Sequence, residues 1–259
     1  MGHSRLTTLP VSKKWREVVH LVATGADEAK IAAAVMLAIG GTFARVRDDA
    51  GFREGIRLIT QLALAGGRPN PAGELAAVGL PISENTSLVD VVLSLGEEFD
   101  KRIDATRQRS DFAELTQRAL VGAVTEHLKA HLPTLFAPPQ GAVSAAFKEL
   151  SKPAEFGRFF RGFVSGLTNG LLKSYLSCTL GTHLGEGQRF TTTNQIGLFE
   201  KAVKTHCDEA SEIVEVFASQ WFSKQRFKGA GDISREKAEG FGWVAFRKMS
   251  LELLARAKP

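Results

Sequence analysis

The sequence contains little cysteine, since only Cys178 and Cys207 occur among its 259 residues. Two cysteines cannot build the disulfide framework that supports small secreted proteins, so the sequence favours a reducing compartment. A disulfide between these two cysteines is possible in principle, but nothing in the pattern requires it.

Long apolar runs are also missing. No segment reaches the roughly 18 consecutive apolar residues that a membrane-spanning helix needs. The longest uncharged candidate, Ile31 to Ala44, is short, consists mostly of Ala and Gly, and ends at Arg45. Lys13, Lys14 and Arg16 interrupt any apolar region of a signal peptide. We therefore expect a cytoplasmic protein with no membrane partner.

Strand-like alternation is almost absent, whereas apolar residues recur every three or four positions along much of the chain. The clearest helical stripe consists of Leu88, Val91, Val92, Leu95, Phe99 and Ile103. Thr86 or Ser87 can cap this helix, Ser12 can cap the first and Ser234 the last, because their hydroxyls accept free N–H groups of a first turn. The pattern predicts an all-α, multi-helix globular bundle of about eight helices.

The proline-rich segment 133–141, PTLFAPPQG, is the best candidate for a boundary. Two arrangements stay open: an N-terminal helical half (1–137) with a basic C-terminal helical half (138–259), or one single domain. A chain of this length fits either arrangement.

Several element limits are predicted from spacing alone. A second helix is expected to run from Asp27 and Glu28 towards Val46, and segment 68–85, rich in Pro and Gly, is expected to be a loop with at most one helical turn. Apolar residues from Ile196 to Trp221 predict one helix of about seven turns with His206 in its core stripe. A basic connector, 223–231, is expected to follow it.

The excess of positive over negative side chains lies entirely in the second half. Residues 1–139 contain 16 basic and 16 acidic side chains, whereas residues 140–259 contain 17 and 12, which accounts for the net charge of +5. Two stretches there interleave cations with aromatic residues, a pattern found in nucleic-acid binders. The candidate contacts are Arg158, Arg161, Lys224, Arg226 and Lys228. The simpler interpretation is that the aromatic rings are core and the cations cover helix ends.

No motif specific to an enzyme or a cofactor occurs. The chain has no H-E-x-x-H, no paired C-x-x-C and no G-K-[ST], so we predict no cofactor. His183, Glu186, His206 and Asp208 form the best alternative metal set, although His206 and Asp208 diverge on a helix. Cys207 could act as a nucleophile only with a base from elsewhere in the fold.

These observations support a non-enzymatic helical subunit or adaptor that binds a protein partner, with nucleic acid as a further candidate partner, through the basic C-terminal half. The alternative is a small metal-dependent hydrolase or nuclease-like enzyme that uses His183, Glu186, His206 and Asp208. A third hypothesis is a ligand-binding or sensor domain with an apolar pocket beneath the glycine-rich loop 181–194. The Ala- and Arg-rich composition is typical of a bacterial protein from a GC-rich genome.

Overall fold

Helices joined by short connections make up the structure, a computed structural model that describes residues 12–40, 45–83, 85–134, 138–228 and 232–257. The first half contains α1 (Lys13–Ala23), α2 (Glu28–Ala38), α3 (Ala50–Gly66), α4 (Pro71–Ala77), α5 (Leu88–Thr106) and α6 (Asp111–His131). The second half contains α7 (Ala142–Leu150), α8 (Pro153–Leu180), α9 (Thr193–Ala210), α10 (Glu212–Lys228) and α11 (Arg235–Arg256). The described residues form no β-strand, so the all-α class is confirmed, with more helices than expected.

Helix starts follow the local capping signals of the sequence. Ser12, Ser87 and Ser234 each accept a backbone N–H from the first turn of the helix that follows. At α5 the cap is reciprocal, because the Asp90 carboxylate accepts the backbone N–H of Ser87 at 2.8 Å. This capping box satisfies two N–H groups that would otherwise lack partners.

Helix α8 lies at the centre of the bundle. It packs most extensively against α10 and α6 and also contacts α2, α7, α9 and α11. Aromatic rings fill the side that faces α10 and α11: Phe156 stacks on Phe222 at a centroid distance of 4.1 Å, and Trp221 stacks on Phe241 at 3.9 Å. Residues on both sides of position 138 belong to one hydrophobic cluster, so the core of the bundle is shared by the two halves of the chain.

The prediction of a single helix from 196 to 221 is wrong, because Ser211 separates α9 from α10. Ser211 is completely buried, and Arg161 on α8 donates to its Oγ at 3.3 Å and to the backbone oxygen of Asp208 at 3.0 Å. In an unbroken helix the Asp208 carbonyl would accept the backbone N–H four residues later, whereas here it accepts from Arg161 and from the Ser211 hydroxyl at 2.6 Å. His206 is also not a core residue: Cys207 occupies the buried position, and His206 is half-buried beside it.

The extents of three further segments differ from those predicted from the sequence. Helix α2 ends at Ala38, and positions 41–44 of its expected continuation lie outside the described residues. Helix α4 adds nearly two turns within segment 68–85, because Asn70 Oδ1 accepts the N–H of Gly73 at 3.2 Å. The basic residues 223–228 are the last turns of α10 instead of a connector, and 229–231 lie outside the described residues.

None of the helices formed by the described residues is both long and apolar enough to cross a bilayer.

Candidate functional site

A half-open trough with a volume of about 920 Å³ follows one face of α8. Its lining includes α8 residues from Glu155 to Ser177, which corresponds to about 33 Å of helix at a rise of 1.5 Å per residue. Helix α6 supplies one wall, and Lys204 and Asp208 of α9 line the other side. The trough is therefore long, a shape suited to an elongated occupant.

Three glycines form the floor of the trough, and we call them the glycine ridge: Gly162, Gly166 and Gly170. Residues four positions apart lie on the same face of a helix, so the ridge is a continuous strip along α8. Gly162 and Gly166 are exposed, and a Cβ at Gly162 would have no other heavy atom of the described residues within 4 Å. A Cβ at Gly166 would lie 3.7 Å from Ala119, an ordinary contact.

Packing within the described chain does not require glycine at Gly162 or Gly166. Gly157, on the same helix, is different, because a Cβ there would come within 2.7 Å of the backbone oxygen of Glu215 on α10. Each glycine inside a helix costs about 1 kcal/mol relative to alanine. Gly162 and Gly166 therefore carry a stability cost that no contact among the described residues explains, whereas a Cβ at Gly170 would lie 3.3 Å from Leu115 Cδ2.

Small residues continue across the trough onto α6. Gly122 is exposed, and a Cβ at its position would again meet nothing within 4 Å in the part of the chain that the structure describes, while Ala119 and Ala123 line the trough beside it. The backbones of both helices are thus accessible from outside. Glycine is the residue that allows a second backbone or a ligand to approach closely.

Charged side chains of both signs border the trough, and they are paired. Lys204 Nζ lies 2.7 Å from Asp208 Oδ2, and Ser165 Oγ donates to Asp208 Oδ1 at 2.5 Å. Lys173 Nζ lies 2.7 Å from Glu200 Oε2. Such partly exposed pairs contribute only about 0–1 kcal/mol, so they can exchange partners at little cost.

Two histidines and a glutamate meet at one end of the trough, and we call them the His–His–Glu cluster: His127, His131 and Glu155. The histidines lie one turn apart on α6, with ring centroids 4.3 Å apart, and Glu155 comes from the first turn of α8. One potential ligand atom from each of the three side chains lies within 4.8 Å of the others. His131 Nε2 is 3.8 Å from Glu155 Oε2.

Hydrogen bonds fix the orientation of this cluster. His127 Nε2 lies 2.8 Å from the backbone oxygen of Ala146, and His131 Nδ1 lies 2.8 Å from the backbone oxygen of His127. A carbonyl oxygen only accepts, so both ring nitrogens are donors. Burial lowers the pKa of His127 below its usual range, which favours the neutral ring.

Arg158 and Arg161, predicted to bind a partner or nucleic acid, both contact acidic groups of this chain. Arg158 Nη1 lies 2.9 Å from Glu155 Oε1, and its side chain remains 60% exposed. Arg161 reaches across to α10, where its Nη1 lies 3.0 Å from Glu215 Oε2. Arg161 thereby ties α8 to the α9–α10 junction, whereas Arg158 lines the trough.

The three cations predicted near position 226 have different surroundings. Lys224 is exposed near the end of α10, and Arg226 donates to the backbone oxygen of Ser151 in the turn between α7 and α8. Lys228 is the last residue of α10. Between them Phe227 is 92% exposed, an unusual position for a phenyl ring.

The alternative metal set is not brought together. Asp208 faces the trough, whereas His206 lies in a separate depression with Asp27 and Glu28. His183 lies in the 3₁₀ turn after α8, and its Nε2, like that of His206, is buried without a hydrogen-bond partner among the described residues. Among the described residues, the group that gathers three ligating side chains is the His–His–Glu cluster, which contains none of Glu186, His183, His206 or Asp208.

The two other reactive-looking features have structural roles. Cys207 is completely buried, and burial raises the pKa of its thiol to about 12, so it is not a thiolate at neutral pH. In the loop 181–194, Arg189 donates to the backbone oxygens of Val22 at 3.1 Å and of Ala26 at 2.9 Å, and so caps the end of α1. None of the residues that line the trough comes from this loop.

Comparison with family models, with curated proteins and with solved structures finds no match. Function therefore has to be inferred from the trough and from the cluster at its end. Both could have been noticed in the sequence, where Gly162, Gly166 and Gly170 are spaced by four, as are His127 and His131. No feature of the neighbouring sequence shows that these glycines and histidines lie close to each other or to α9. The site is therefore formed only by the fold.

Proposed function

We propose that this protein is a non-enzymatic helical subunit or adaptor that holds a helix of a protein partner in the trough. The observation that carries the proposal is the glycine ridge. Exposed glycines at four-residue spacing inside a long helix lower stability, and Gly162 has no neighbour that a methyl group would disturb. A partner whose backbone comes close to α8 explains why the ridge lacks side chains.

The dimensions of the trough favour a helix as the occupant. A length of about 33 Å matches about six helical turns of 5.4 Å. Small residues on α6 and α8 allow an incoming helix to sit deeply between them, as in other grooves that receive an amphipathic helix. Leu115 of α6, a half-buried residue of the trough lining, offers apolar surface to the apolar stripe of such a helix.

The borders of the trough favour a protein over a nucleic acid at this place. A nucleic acid requires a surplus of free cations along its phosphates. Here Lys173, Lys204 and Arg158 already pair with acidic groups of the chain, and the sign of charge alternates along the border. Flanking charges of both signs on a partner helix complement this pattern better.

A second candidate function, nucleic-acid binding, is supported by the end of α10. Lys224 is exposed there and the ring of Phe227 is almost fully exposed, which suits contact with a phosphate and stacking on an unpaired base. Single-strand binding that weakens with salt, and weakens further in Lys224→Ala/Phe227→Ala, would support this function. Wild-type protein without salt-sensitive binding would exclude it.

The experiment for the main proposal fills the trough without disturbing the fold. Gly162→Leu places a side chain on the ridge, and Gly240→Leu is the matched control, because Gly240 is also exposed in a helix with no atom within 4 Å of its Cβ and does not line the trough. Both variants should fold and melt at or above the wild-type temperature. A partner that co-purifies with wild type and Gly240→Leu should be lost from Gly162→Leu.

Light scattering on the same purified variants separates two kinds of occupant. A partner of different sequence leaves the mass of the isolated protein unchanged by Gly162→Leu. If wild type is a dimer and Gly162→Leu alone is a monomer, a second copy of this chain occupies the trough and the adaptor proposal is wrong. Equal partner recovery in all three proteins would also contradict it.

A further inference from the structure

The His–His–Glu cluster presents free lone pairs at the end of the trough. His127 uses Nε2 and His131 uses Nδ1 to donate to backbone oxygens, each at 2.8 Å. In the neutral form of either ring the remaining nitrogen, Nδ1 of His127 or Nε2 of His131, is an acceptor. This arrangement is the one by which metal-binding histidines in proteins are commonly oriented, with the second ring N–H bonded to a carbonyl or carboxylate.

The spacing of the cluster suits a small divalent ion. Zinc bonds of about 2.0–2.2 Å to nitrogen and oxygen at a tetrahedral angle place neighbouring ligand atoms about 3.3–3.6 Å apart. The separation of His131 Nε2 and Glu155 Oε2 is 3.8 Å, and one potential ligand atom of each of the three side chains lies within 4.8 Å of the others. Small side-chain rotations are enough to close this difference.

The surroundings also favour a bound cation. Glu155 has one oxygen held by Arg158 at 2.9 Å, which leaves Oε2 directed at His131. His127 is buried, His131 and Glu155 are 22% and 15% exposed, and all three line the trough. An ion there would be shielded on the protein side and accessible from the trough.

We propose that His127, His131 and Glu155 bind a divalent transition-metal ion of the zinc class, with a remaining coordination position directed at the trough. Two imidazoles and one carboxylate form a ligand set that zinc and its first-row neighbours accept. The site does not depend on the occupant of the trough. It holds equally if no partner helix binds there.

The competing description is an ion pair without a metal, in which a protonated His131 and Arg158 share the carboxylate of Glu155. The two descriptions differ in one measurable respect. A metal site binds added Zn²⁺ and loses that binding when Glu155 becomes neutral, whereas an ion pair has no affinity for Zn²⁺ to lose.

The test uses the full-length protein in a Cys178→Ser/His3→Ala background, so that neither an exposed thiol nor a histidine near the amino terminus supplies a competing ligand. Co²⁺ is titrated as a coloured probe and then displaced by Zn²⁺. The expected result is a single Co²⁺ per chain with the visible bands of a tetrahedral or five-coordinate site, bleached by stoichiometric Zn²⁺.

The variants Glu155→Gln and His131→Gln should each weaken Zn²⁺ binding by more than the roughly 10–100-fold that loss of an outer-sphere partner causes. His206→Gln is the matched control, since it removes a half-buried histidine elsewhere. Melting temperatures in chelator report whether each variant folds, and added Zn²⁺ should raise the melting temperature of the background protein and of His206→Gln only. Absence of Co²⁺ and Zn²⁺ binding, or unchanged affinity in Glu155→Gln, would overturn the proposal.

Discussion

Substitution by alanine should change the stability of the protein in opposite directions at two glycines of α8. At Gly162 a methyl group would have no heavy atom of the described chain within 4 Å, whereas at Gly157 it would lie 2.7 Å from the backbone oxygen of Glu215 and 3.0 Å from Ser219 Cβ. Both residues lie inside one helix, so Gly162→Ala and Gly157→Ala gain the same helix propensity. The difference between the two variants therefore isolates the steric term.

The magnitudes follow from these distances. Gly162→Ala should stabilise the protein by about 0.5–1 kcal/mol, because alanine restricts the unfolded chain and meets nothing in the folded one. Gly157→Ala gains the same amount but has to push α10 away from α8, and overpacking of a core costs about 1–3 kcal/mol. The two variants should therefore differ by about 1–3 kcal/mol, with Gly157→Ala the less stable.

Urea unfolding of both variants and of wild type measures these changes as shifts in midpoint at constant slope. The expected order of midpoints is Gly162→Ala above wild type above Gly157→Ala. Should Gly162→Ala unfold at a lower urea concentration than wild type, the ridge would already be packed within the chain. The explanation of the trough as a binding site would then lose its support.

Two other predictions concern the core and the histidine cluster. Leu95 is completely buried on α5, so Leu95→Ala should cost about 2–5 kcal/mol in urea unfolding, and a loss below about 0.5 kcal/mol would place it at the surface. Burial lowers the pKa of His127, so the unfolded chain binds the proton more readily, and stability should fall as the pH drops below about 6.5. His127→Gln should reduce this slope when urea midpoints are compared in chelator between about pH 7.5 and 5.5. His206→Gln measures the separate contribution of His206, whose pKa is also lowered by burial. An unchanged slope in His127→Gln would contradict the argument.

Helix starts could be predicted from sequence because their causes are local. Ser12, Ser87 and Ser234 lie within three residues of the N–H groups that they accept, so the signal and the structure occupy the same few positions. The same holds for the buried stripe of α5, whose period of three to four residues reflects one apolar face. Helices with a cap and one apolar face were identified correctly.

The break at Ser211 could not be predicted because its cause lies far away in the sequence. The apolar spacing passes through Ser211 without interruption, and the break is stabilised by Arg161, 50 residues earlier. The shift of the core position from His206 to Cys207 has the same origin, since packing against α8 sets the rotation of α9. Sequence periodicity records that a helix has an apolar face but not where a neighbour interrupts it.

The candidate site was predictable only in part. The sequence points to Arg158 because of its charge, and Arg158 does line the trough. Its contact with Glu155 cannot be seen in the sequence. His127 and His131 could be placed on one face of α6 from their spacing, yet their third partner is a residue of α8. The glycine ridge is visible in the sequence as a spacing of four, but a glycine inside a helix pattern is commonly tolerated, so the spacing alone does not indicate a site.

The central claim is that a partner helix lies in the trough, and photo-crosslinking from its wall tests this most directly. A benzoylphenylalanine at position 122, where the glycine is exposed and open, should crosslink to one amphipathic helical segment of a partner, and Gly162→Leu should abolish that crosslink. The same residue at position 240 should not produce it. Crosslinks that persist in Gly162→Leu, or that arise equally from position 240, would contradict the account.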